Sequence, residues 1–84
     1  MDFIIISHAY DTMYERGVSE DDVHEVVNNP EQIVPEKQGR MCYQSRKDYY
    51  GETFLLRVIV DTSTTPAAVI TVYLTTNFAK YWRP

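Results

Sequence analysis

The chain is poor in sulfur, in glycine and in long apolar runs. Cys42 is its one cysteine. That excludes an intrachain disulfide, and with it the disulfide-stapled scaffold common among small secreted domains. Cys42, His8 and His24 do not stand at metal-ligand spacing, so the sequence carries no zinc motif. Its aliphatic runs, such as Ile4-Ile5-Ile6, fall far short of the roughly 20 residues that cross a bilayer as a helix. The opening Met1-Asp2-Phe3 has no basic region of the secretory type. The expectations are a reduced, cytoplasmic location, no membrane partner, no metal and no cofactor.

Basic residues are scarce in one half only. Residues 1–36 hold nine acids against Arg16 alone, whereas residues 37–84 hold seven bases against three acids. The net charge of −4 therefore hides an electrostatic division. The basic half can meet a phosphate backbone that the acidic half repels.

What is present suffices for one domain over residues 1–84, with 44% hydrophobic and 13% aromatic residues. A chain of this size buries roughly 60% of its unfolded surface. Residues 2–6 read as a strand. Ser7 stands as an N-cap before a helix over His8–Arg16, which Gly17 ends by taking the left-handed conformation. Ser19 and Asp22 form a variant capping box for a second helix, with Val18 and Val23 spaced as a hydrophobic staple. Val23, Val26 and Val27 mark its buried stripe, and Asn28-Asn29-Pro30 its end.

Residues 32–34 read as a short extended piece and Glu36–Gly39 as a polar turn. Three strands follow over Arg40–Lys47, Thr53–Asp61 and Ala67–Thr75, joined at Tyr50-Gly51-Glu52 and Ser63–Pro66. The tail Phe78–Pro84 is aromatic and basic. The order predicts an α+β fold: two N-terminal helices packed on one face of a twisted antiparallel sheet, in the order strand-helix-helix-strand-strand-strand-strand.

Period-two alternation assigns the faces. Phe54, Leu56, Val58 and Val60 of one strand, with Ala68, Ile70, Val72 and Leu74 of the next, are expected under the helices. The opposite face then gathers Arg40, Gln44, Arg46, Arg57, Thr71, Tyr73 and Thr75. Guanidinium groups supply paired donors to phosphate oxygens, and hydroxyls orient them. The polar face of an ordinary half-solvated sheet has the same composition, so this patterning alone leaves both readings open.

Ser7-His8-Ala9, Met13, Glu15-Arg16-Gly17-Val18-Ser19, Asp22-Val23 and Asn29-Pro30-Glu31 resemble the opening of an uncharacterised bacterial domain-of-unknown-function family. Gly39-Arg40, Tyr43, Leu56–Val58, Ile70–Tyr73 and Tyr81-Trp82 extend the resemblance over nearly the whole chain. That family is similar to RelE/ParE-type toxins and, more widely, to the barnase–EndoU–colicin–RelE group of metal-independent ribonucleases. The resemblance implies RNA cleavage by a toxin of a toxin–antitoxin pair, with RNA and a cognate antitoxin or other inhibitor protein as partners. It implies catalytic roles for His8, Arg40, Arg57, Thr71 and Tyr73.

In that scheme His8 moves a proton, Arg40 and Arg57 hold the scissile phosphate, Thr71 orients it and Tyr73 positions a proton. Tyr43, Gln44, Arg46, Thr75 and Trp82 are the candidate RNA-binding residues, with Tyr43 or Trp82 stacking a base. The chain departs from the family pattern at Thr12, where a base is usual before Met13, and in its low isoelectric point near 4.9. Both departures favour the alternative reading, a non-catalytic protein- or nucleic-acid-binding module on the same fold. A homodimer pairing exposed sheet edges is the third reading.

Overall fold

A computed structural model describes residues 1–84. In chain order it contains β1 (Phe3–Ile5), α1 (Ser7–Arg16), α2 (Glu20–Asn28) and β2 (Gln32–Pro35). A 3-10 turn (Lys37–Gly39) leads to β3 (Met41–Tyr49), β4 (Glu52–Asp61), β5 (Ala67–Thr75) and a short α3 (Phe78–Tyr81). The fold is mixed α+β, with a five-stranded sheet in the order β1-β5-β4-β3-β2.

The sheet is not wholly antiparallel. β1 runs parallel to β5, with Phe3 beside Ala67 and Ile5 beside Val69, because α1 and the strands after it lie between them in the chain. A propensity reading assigns a strand without its direction, so β1 was indistinguishable from a hairpin partner. The other three pairings are antiparallel.

The two long helices cover one face. Ala9 and Met13 of α1 join Val23, Val26 and Val27 of α2 over Leu56, Val58 and Val60 of β4. Ser19 Oγ accepts the Asp22 N–H at 3.1 Å, as the capping signal predicts. The box is left half-formed, because the Asp22 carboxylate turns to the sheet. There it accepts from the Tyr49 hydroxyl and lies 3.6 Å from Lys47 Nζ. Lys47 also meets Glu25 at 3.0 Å, so α2 is tied to β3 by charge as well as by valines.

Gly17 ends α1 at φ 70°. The Tyr50 hydroxyl fills the space where a Cβ would stand, 2.5 Å away. Tyr50 itself has φ 56° and Gly51 φ 76°, the pair of positive angles that a two-residue hairpin loop of type I′ requires.

Two local expectations are corrected. Ser7 is the first residue of α1, not its cap; Ile6 holds that position and offers no side-chain acceptor. The face assignment along β5 also fails in its first half. Ile59 pairs with Thr71 but Val60 pairs with Val69, so Ile70 is an extra residue in a β-bulge. A bulge shifts the side-chain alternation by one. Ala67 and Val69 therefore join Val72 under the helices, whereas Ala68 and Ile70 do not belong to that core.

Thr12 secures the strand just past this bulge. Its hydroxyl donates to the Ala9 carbonyl at 2.8 Å and accepts the Val72 N–H at 3.1 Å. β1 stops at Ile5, so α1 supplies the acceptor that a longer edge strand would have given. Replacing Thr12 by Val strands the Val72 N–H and is expected to cost about 1–3 kcal/mol. Thr12→Ser keeps the acceptor and is expected to lose less. Urea unfolding of the two variants measures the difference.

Candidate functional site

The sheet face opposite the two long helices centres on Arg57. It enters from the middle of β4, opposite Gln44 of β3 and Tyr73 of β5, so strand register alone brings the three side chains together. Arg57 is only 3% exposed. A charge buried to that degree survives only when paired and hydrogen-bonded. Its Nε donates to Gln44 Oε1 at 2.8 Å, its Nη1 donates to the Tyr73 hydroxyl, and the Glu36 carboxylate lies 3.6 Å from Nη1. No buried side-chain nitrogen or oxygen in the molecule lacks a partner.

The face is covered by the end of the chain. The Tyr81 ring lies over the Arg57 guanidinium at 4.0 Å, edge-on to Tyr73 with ring centroids 6.1 Å apart. Trp82 stacks in the same way on Arg46, at 4.8 Å. Backbone groups of this segment are held by two glutamines that face each other across β2 and β3. Gln44 Nε2 donates to the Tyr81 carbonyl at 3.0 Å and to Gln32 Oε1 at 2.8 Å. Gln32 in turn donates to the Arg83 carbonyl and accepts the Arg83 N–H at 3.1 Å. Asn77 opens α3, its side chain accepting the Lys80 N–H.

One opening reaches the arginine: a hollow of about 160 Å³ lined by Val34, Pro35, Glu36, Arg57, Lys80, Tyr81 and Arg83. Three of these side chains are cationic and one is anionic. A hydrogen bond involving Lys80, then one with Tyr73, holds the Tyr81 phenol below its ordinary range. A larger hollow of about 640 Å³ lies at the other edge, between Met1–Phe3 and the Thr62–Ala67 loop. It has Asp2 as its sole charged side chain and gathers no comparable chemistry.

The residues expected at one site are thus divided. Arg57, Tyr73 and Gln44 form the buried cluster. Thr71 is half-buried on the same strand face, beside Ile59. Thr75 accepts the Asn77 N–H at 3.0 Å and so helps turn the chain into α3. Arg46 is paired with Glu31, Nη2 to Oε2 at 2.7 Å and Nε to Oε1 at 3.1 Å; these bonds hold the Glu31 carboxyl below the usual carboxylate range.

Arg40 follows the 3-10 turn at the far end of β3, where its charge helps lower the Asp61 carboxyl, after the stronger effect of the Ser63 hydrogen bonds. Tyr43 is on the helix side, its hydroxyl 3.9 Å from the Met1 sulfur. His8 is exposed on α1, across the sheet from Arg57. Sequence reasoning passed over Glu36, Gln32 and Tyr81 in this role. Glu36 and Gln32 sit in a polar turn and a short strand with no pattern of their own, and only the aromatic, basic composition of the tail hinted at Tyr81.

This is an α+β domain in which one buried arginine organises the sheet face opposite the helices. The chain belongs to the family described as domain of unknown function (DUF4258), whose model matches residues 5–74. The match stops at Leu74, before the segment that covers the arginine. No curated protein and no solved structure matches the chain.

Burial shapes the chemistry of two neighbours. It pushes the Cys42 thiol up to about 11, against the opposing pull of Arg57, and the Tyr73 phenol up to about 12. Both groups are therefore neutral near pH 7. A raised folded value adds stability that is complete below the unfolded value and is lost as pH climbs through the folded one. The stability that Cys42 and Tyr73 contribute is expected to be complete below about pH 8 and to fall as pH rises through about 11 and then about 12, whereas the lowered Tyr81 phenol contributes stability that grows as pH climbs toward its ordinary range. Urea unfolding across that range measures it, with Tyr73→Phe flattening the upper part. Cys42 is expected to react with a disulfide reagent at pH 8 only on unfolding.

Proposed function

We propose that this chain is a toxin-like ribonuclease that binds single-stranded RNA on the sheet face opposite the two long helices and cleaves it without a metal, in the manner of RelE/ParE-type proteins. The observation that carries the reading is the meeting of Arg57 and Glu36 in a hollow rimmed by Lys80 and Arg83, with the Tyr73 hydroxyl bonded to the same Arg57 nitrogen that faces Glu36. Arg57 has the fork of donors suited to a phosphodiester. Cleavage requires the ribose 2′-oxygen to form a bond to phosphorus while the bond from phosphorus to the 5′-oxygen breaks, leaving a cyclic phosphate.

Glu36 takes the 2′-hydroxyl proton, and Tyr73 gives its phenol proton to the departing 5′-oxygen. A phenol kept protonated to about 12 suits a donor better than a base at neutral pH. Arg57 stabilises the negative charge that builds on the phosphorane. The acidic outer surface of the helices and the basic far half of the chain orient the RNA backbone toward this face. A cognate antitoxin is the partner that such a toxin requires, and the cytoplasm is the place where both would act.

The second reading is a binding module without turnover. It is favoured by the saturation of Arg57 with internal partners and by the position of His8 across the sheet.

The test is incubation with end-labelled single-stranded RNA in EDTA. Glu36→Gln and Tyr73→Phe are each expected to lower the cleavage rate by about 10²–10⁴, the range for a lost general acid or base. His8→Ala is expected to leave it unchanged; a loss of the same size there would return His8 to the mechanism. Binding without cleavage by the parent chain would favour the module.

A further inference from the structure

The RNA-binding reading just given meets an obstacle: the face is already occupied. Every side chain of its centre is engaged, and much of the engagement is with residues 77–84. We infer that this C-terminal segment is a strap that imitates a single strand of RNA and must be displaced before RNA can bind. The inference rests on the proposed function and adds its regulation.

The imitation is specific. Tyr81 and Trp82 are successive aromatic side chains, stacked on the successive guanidinium groups of Arg57 and Arg46. Stacking of bases on arginine planes is a common mode of single-strand recognition. The carbonyls of Tyr81 and Arg83 accept hydrogen bonds from the side-chain amides of Gln44 and Gln32 respectively. Those two amides stand side by side on paired strands, and base carbonyls or phosphate oxygens can take the same donors. Lys80 and Arg83 remain exposed on the strap, where they draw an incoming phosphate backbone toward the hollow above Arg57.

The strap is lightly built. It has a single short helix, Phe78–Tyr81, and no strand pairing. Phe78, Tyr81 and Trp82 are all left partly exposed, and neither buried core includes a strap residue. What holds it are the two glutamines, the two stacks, the contact of Tyr81 with Tyr73, the Thr75 hydroxyl and the Asn77 cap. Such a segment exchanges one set of partners for a closely similar set, so the sheet face need not lie bare during the exchange. Arg57 is then never left buried without a partner, which would be the costly state.

Trp82 provides the readout because it is the one tryptophan in the chain. The probe is a fluorescein-labelled, 2′-O-methylated single-stranded oligoribonucleotide, which binds but cannot undergo attack by its 2′-oxygen. Its anisotropy would be followed with the parent chain, Asn77→Ala, which removes the cap of the strap helix, and Trp82→Ala, all checked for folding by thermal melting. If the closed strap leaves about a tenth of the molecules open, loosening it tightens apparent binding by up to about tenfold. Both variants are therefore expected to bind more tightly than the parent. RNA saturation of the parent is expected to shift Trp82 emission toward that of a solvent-exposed indole.

The sign of the Trp82→Ala effect decides the matter. Weaker binding makes Trp82 a base-stacking residue and overturns the strap while leaving RNA recognition intact. Equal affinity in all three proteins, with Trp82 emission unchanged on saturation, does the same. Absence of binding by all three folded proteins overturns the RNA reading itself, and the strap's regulatory role with it.

Discussion

A guanidinium group placed in the middle of a central strand sets the terms for half of this molecule. Arg57 is buried on the sheet face that the long helices do not cover, where an unpaired charge would be strongly destabilising. Gln44, Tyr73 and Glu36 meet that demand in the sheet plane and at its edge, and the Tyr81 ring closes it from above. The C-terminal segment is ordered around this charge. Beside it, burial keeps the protons of Cys42 and Tyr73 in place to high pH, Cys42 among Val34 and Ile59.

The two faces obey different physics. The helix side is an apolar core of valines, a leucine, two alanines and Met13, which depends on matched volume rather than on directed contacts. The opposite side has a small apolar cluster of Val34, Cys42 and Ile59, and otherwise depends on directed polar contacts. A polar network of this sort is stable only when complete, and here it is complete without any outside molecule. That completeness is why the functional question turns on what can replace the C-terminal segment rather than on which side chains line an open cleft.

Thr12 shows how a departure in sequence acquires a structural reason. Before Met13, where the resemblance implied a base, this chain has a hydroxyl that bridges Ala9 of α1 and Val72 of β5. The bridge falls just beyond the bulge at Ile70, the feature that reversed the face of residues 67–69. Alternation is read from sequence on the assumption of an uninterrupted pleat. One inserted residue, invisible in composition or hydropathy, changed which side chains enter the core.

Local signals were sufficient for the elements themselves. The Ser19 cap, the valine stripe of α2, the glycine stop after α1 and the alternation along β3 and β4 lie within a few residues of what they determine, and short-range sterics and hydrogen bonding act at that range. The grouping of Arg57, Gln44 and Tyr73 was also legible, because alternation and strand adjacency suffice to bring them together. Tertiary structure alone decided the parallel pairing of β1, the removal of His8 to the other side of the sheet, and the return of residues 77–84 over the arginine. Each of these depends on partners distant in the chain, such as Gln32 with Arg83 or Thr12 with Val72. No periodicity or local propensity records which distant hydrogen-bonding groups will meet, or whether a cationic face will be left to solvent or closed by the chain's own end.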